Sequence, residues 1–78
     1  MINYILTGKT IKGNYIHAPR RSCRTIDRPT KQRITVTLNG TEYNRAIYER
    51  IIWRNGFRTE IIARFVIINN TNYEIAEA

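Results

Sequence analysis

Apolar and polar residues alternate most regularly from Arg33 to Leu38. Ile34, Val36 and Leu38 fall on one face and Arg33, Thr35 and Thr37 on the other, which predicts a strand. Asn39-Gly40 stops it. Upstream, residues 2–7 and 11–17 are rich in Ile and Tyr and punctuated by Gly8 and Gly13, the pattern of an N-terminal hairpin. Downstream, two patterns compete over residues 41–55. Tyr43, Ile47 and Ile51 recur at helical spacing between an N-cap at Thr41 and a stop at Asn55-Gly56, while Asn-Gly is equally a hairpin turn. Ile51, Ile52 and Trp53 are consecutive, so strict alternation fails, and the spacing predicts a helix over about 42–54. Residues 60–68 are β-branched, and Asn69-Asn70 followed by residues 71–76 completes a C-terminal hairpin.

The order β-β-β-α-β-β describes one α+β domain over residues 1–78, a small antiparallel sheet of about 4–5 strands with one helix packed on it. An all-β, barrel-like chain is the alternative if 41–55 is a strand. A chain of 78 residues has room for one core, and that core is small.

Composition sharpens the functional expectation. Thirteen Lys+Arg against six Asp+Glu give +7, yet 42% of residues are hydrophobic, too many for a disordered polycation. Residues 1–40 hold eight basic groups and one acid, whereas residues 41–78 hold five of each, so the first half carries the whole net charge. Arg20, Arg21, Arg24, Arg28, Lys31 and Arg33 lie in one short run opposed only by Asp27. With Pro19 and Pro29 inside it, the stretch 18–32 reads as a basic loop or arm. Arginine's planar fork grips two phosphate oxygens at once and can stack on a base. These residues are therefore the expected phosphate contacts, widened by Lys9 and Lys12. Thr35, Thr37 or an exposed Tyr would supply any specificity. Eight aromatic residues mostly serve a core, but Tyr15 lies in the basic half and is the favoured stacking platform for a base.

Other chemistry is thinly supported. One Cys, one His and one Asp exclude a disulfide framework and leave too few ligands for structural zinc, so no metal or cofactor is expected. Thr7-Gly8-Lys9-Thr10 ends like a phosphate-binding loop, but Asn3 stands where that loop needs glycine. His17 and Cys23 sit in no fixed geometry for thiolate catalysis. A metal-free ribonuclease using arginines with His17, a Tyr or Glu49 is a minor alternative to a non-enzyme, since no second acid or base stands at recognisable spacing. No apolar run reaches 18 residues and no basic-then-apolar leader opens the chain, so the expectation is a soluble, cytoplasmic protein with no membrane partner. Without a leader, Asn39-Gly40-Thr41 and Asn69-Asn70-Thr71 signify turns and not glycosylation.

Residues 33–67 also resemble a ribbon-helix-helix fold, through the strand Arg33–Leu38, a helix ending at Asn55-Gly56 and a second helix carrying Glu60-Ile-Ile-Ala-Arg64. The resemblance implies a dimer that places Arg33, Thr35 and Thr37 in a DNA groove, and dimerisation would enlarge the small core. The strand-to-glycine segment is longer than in that family, no Ser or Thr caps the second helix after Gly56, and a hairpin over 60–77 is incompatible with it. The expected function is thus a small basic nucleic-acid-binding protein, a regulator, with DNA and RNA equally open. The rival expectation is a mobile-element type of inhibitor or adaptor that docks its basic face on an acidic protein surface.

Overall fold

A computed structural model of the chain describes residues 3–13, 23–54 and 58–78, with the backbone alone at 23, 24, 53, 54, 58 and 59. It consists of five antiparallel strands: β1 (Tyr4–Ile11), β2 (Cys23–Leu38), β3 (Thr41–Arg54), β4 (Arg58–Ile68) and β5 (Thr71–Glu77). They form one sheet of order β1-β5-β4-β3-β2. The fold is all-β, so the α+β expectation is wrong and the barrel-like alternative fits.

The error lies in one element. Residues 42–54, expected as the helix, are strand β3. Asn39 and Gly40 have φ of 52° and 80°, the left-handed pair of a type I′ turn, whose twist folds the chain straight back on itself. That turn sets Leu38 opposite Thr41, Val36 opposite Tyr43 and Ile34 opposite Arg45. Tyr43, Ile47, Tyr48, Ile51 and Ile52 are β-branched or aromatic, so the pleated conformation suits them better than a helix does. The β3–β4 register shifts between Arg50 and Ile51, which leaves Ile62 of β4 without an opposite residue on β3. The ribbon-helix-helix alternative fails with the same evidence, since both its helices are strands β3 and β4.

Asn69 and Asn70, with φ of 51° and 65°, make a second left-handed turn and close the β4–β5 hairpin, as expected. Gly8, expected to end a strand, instead lies inside β1 with φ of 90°, where the register with β5 shifts between Leu6 and Thr10. The segment 23–32, read as part of a loop or arm, forms the first half of β2 and pairs with β3. A straight strand of 16 residues would span about 50 Å, more than the 43 Å longest dimension of the molecule. β2 therefore bends, at the register break between Pro29 and Arg33. Thr30 Oγ donates to the Ile47 carbonyl at 2.7 Å and accepts from the Gln32 amide at 3.2 Å, satisfying backbone groups that the bulge removes from the ladder.

Coiling of the sheet gives it two packed faces. On one, Val36, Ile47, Val66, Ile68 and Ile75 are buried beneath Tyr4, Leu6, Ile34, Leu38, Tyr43 and Tyr73. Glu49 continues that face two residues beyond Ile47, held between its cross-strand partners Arg28 at 3.4 Å and Arg64 at 3.6 Å. On the other face Phe65 is fully buried, with Tyr48 stacked on it at 5.5 Å and the Arg50 guanidinium 5.7 Å from its ring centre.

Candidate nucleic-acid interface

Arg50 decides where the basic residues end up. It is an arginine at 8% exposure, a burial that requires a charge partner. Asp27, its cross-strand neighbour on β2, takes Nε at 2.7 Å and Nη2 at 2.9 Å in a two-pronged ion pair. The remaining donors reach across the sheet to the chain leaving β1: Nη1 to the Lys12 carbonyl at 3.1 Å and Nη2 to the Gly13 carbonyl at 2.8 Å. Asn72 Nδ2 adds a bond to the same Gly13 carbonyl at 3.0 Å. Although β1 and β2 are the two ends of the sheet, this knot brings the end of β1 on to the β2–β3 ribbon. Lys12, exposed, is thereby carried toward the arginine-rich strand.

Of the acidic residues, Glu42 is exposed on the ribbon itself, opposite Thr37, while the others are paired or lie on other strands. Asp27 is taken by Arg50, and Glu49 by Arg28 and Arg64. Glu74 accepts from Thr7 Oγ at 2.8 Å, and lies with Glu77 on β5. Among the described residues, Lys9, Lys12, Lys31, Arg33 and Arg45 have no carboxylate partner, and all but Arg45 are exposed. Arg28, expected to touch phosphate, has half its side chain exposed but already engages Glu49. Thr35 and Thr37 are exposed on the same face as Arg33, as alternation required, and Thr35 accepts from Asn44 Nδ2 at 3.2 Å. Tyr15, Arg20 and Arg21 lie outside the described residues, as does His17; Arg24 pairs with Trp53 through its backbone.

One arrangement was not visible in the sequence. β3 pairs with β4 only from Tyr48 onward, so its first half peels away from β4 and leaves a fork between them. Asn44, opposite Thr35, belongs to a pair that exchanges no ladder bonds in this hairpin, which turns its carbonyl toward the fork. Two guanidiniums meet on that oxygen: Arg33 Nη2 at 3.1 Å and Arg45 Nη1 at 3.0 Å. Arg33 is fixed further by Nε donating to Asn44 Oδ1 at 2.7 Å, and Arg45 by lying 5.1 Å from the centre of the Tyr43 ring. A cleft of about 280 Å³ opens here, lined by Arg33, Arg45, Ala46, Tyr48 and Ile67. Asn39-Gly40 was the signal for it. Reading that dipeptide as a two-residue turn makes paired positions sum to 79, which sets Asn44 and Arg45 beside Thr35 and Ile34.

Among the described residues no group of His, Cys, Asp and Glu could hold a metal ion. No helix there is long and apolar enough to cross a membrane. Compared with protein-family models, with curated proteins and with solved structures, the chain matches none, so the functional reading stands on its own residues.

Proposed function

We propose that the protein is a non-enzymatic nucleic-acid-binding module that grips phosphates with cations on and beside its β2–β3 ribbon. The observation that carries this reading is the set of cations left without carboxylates: Lys9, Lys12, Lys31, Arg33 and Arg45. An unneutralised cation set on a rigid sheet attracts a polyanion and releases its counterions. Arg20, Arg21 and Arg24 join them as phosphate contacts on the charge density of their segment of the sequence alone.

The test is a fluorescence-anisotropy titration against single- and double-stranded DNA and RNA over a range of salt. Five phosphate contacts give log-log slopes of about −3.5 on single strands and about −4.5 on duplex DNA. Changing Lys31, Arg33 and Arg45 together to Glu should abolish binding while leaving the thermal transition close to that of the parent. Unaltered affinity in a folded triple variant refutes the reading.

A second reading, docking on a protein partner, draws on one specific feature. Ile61 and Ile62 are 40% and 48% exposed in the stretch of β4 that does not pair with β5. Its signature is a stoichiometric complex with one protein that persists after nuclease treatment and in moderate salt, together with indifferent binding to every nucleic-acid probe.

A further inference from the structure

We infer that the fork between β3 and β4 is a nucleotide-sized site for single-stranded nucleic acid: a phosphate bridges Arg33 and Arg45, and the adjoining base enters the cleft against Tyr48, Ala46 and Ile67. This rests on the phosphate-binding reading above and adds to it a defined contact and a preference for unpaired strands.

The charge geometry supports the phosphate. Two guanidiniums converge on one carbonyl oxygen with no carboxylate between them, so they repel each other in the unbound protein. An oxyanion placed between them removes the repulsion and uses donors that the Asn44 carbonyl leaves free, since each guanidinium carries five N–H groups. Both forks are held before any ligand arrives, Arg33 by Asn44 Oδ1 and Arg45 by the Tyr43 ring, so little side-chain freedom is lost on binding.

The wall of the cleft supports the base. Ala46 and Ile67 are apolar and Tyr48 is aromatic, the combination on which bases of any sequence stack. Tyr48 is itself stacked on the fully buried Phe65, so its ring is a fixed platform. The volume lies just under the roughly 300–1,000 Å³ of pockets that enclose drug-sized ligands, room enough for a base. A paired base presents no free face to such a wall, so duplex is disfavoured. Because β3 has no partner strand at the fork, the strand can enter from the side without unfolding the sheet.

The experiment compares oligothymidylate, oligouridylate, a fully abasic strand of equal length and charge, and a duplex, each titrated by anisotropy at one salt concentration. The intact single strands should bind more tightly than the abasic strand by between about fivefold and a hundredfold, the gain that stacking on an aromatic ring supplies. Tyr48→Leu should erase that difference and keep the abasic affinity. Arg33→Gln with Arg45→Gln should weaken intact and abasic strands equally. On the unsubstituted protein, a strand carrying 5-iodouracil should photo-crosslink within the tryptic segment 46–50, which needs no variant to fold. Equal binding of intact and abasic strands, or cross-links confined to other segments, overturns the base site and leaves phosphate binding standing. Failure of every polymer to bind overturns both. The oligothymidylate and oligouridylate arms separate DNA from RNA.

Discussion

Arg50 is a hydrogen-bond hub whose bonds to Asp27, Lys12 and Gly13 end on β2 and on the chain leaving β1. Its side chain and that of Asp27 are 10% and 5% exposed, so removing one partner strands the other charge out of water. Arg50→Met is expected to cost about 3–5 kcal/mol in urea denaturation. Arg50→Met combined with Asp27→Leu should recover a large part of that loss, because an apolar pair leaves no buried charge. A residual deficit is expected in the double variant, since the Lys12 and Gly13 carbonyls also lose a donor. Sequence alone showed neither half of this pair. Asp27 read as the lone acid of a basic loop, and Arg50 fell inside residues 42–54, the expected helix.

At the scale of elements, the two asparagine-led turns decide the fold. A Cβ at Gly40 would meet no atom within 4 Å, so Gly40→Ala tests backbone conformation alone. At φ +80° the expected cost is about 1–2 kcal/mol in thermal or chemical unfolding, with Gly40→Asn costing less because asparagine tolerates that region. The strand through Arg33–Leu38 was legible from its two-residue period, and the C-terminal hairpin from the β-branched residues of 60–68 followed by Asn69-Asn70. β3 was not legible because Tyr43, Ile47 and Ile51 satisfy a helical period as well as a strand period, and only the turn before them separates the two. Local spacing cannot report a long-range ladder. The same gap concealed half the site: alternation placed Arg33 and Thr35 on one exposed face, but Arg45, on the Ile34 face, meets Arg33 at the Asn44 carbonyl only once β3 is a strand.

The whole molecule is small and its net charge is +7, so self-repulsion opposes the compact state and a bound polyanion relieves it. A single-stranded oligonucleotide held at about a hundred times its Kd adds about 2.7 kcal/mol of stability. For a domain of this size that raises Tm on the order of 10–20 °C, measurable by differential scanning fluorimetry. An unchanged Tm at a concentration that saturates the anisotropy signal would contradict binding to the native sheet. The position of β2 at the end of the sheet has one more consequence. Among the described residues no strand pairs with its outer edge, and Pro29 and Lys31 guard it by removing an N–H and by repelling a second copy. One of these guards, Lys31, is also a phosphate contact in the proposed function. Occupancy by nucleic acid therefore lowers the barrier to edge-to-edge pairing, so that coated strands should gather protein side by side and bind with positive cooperativity as the lattice fills.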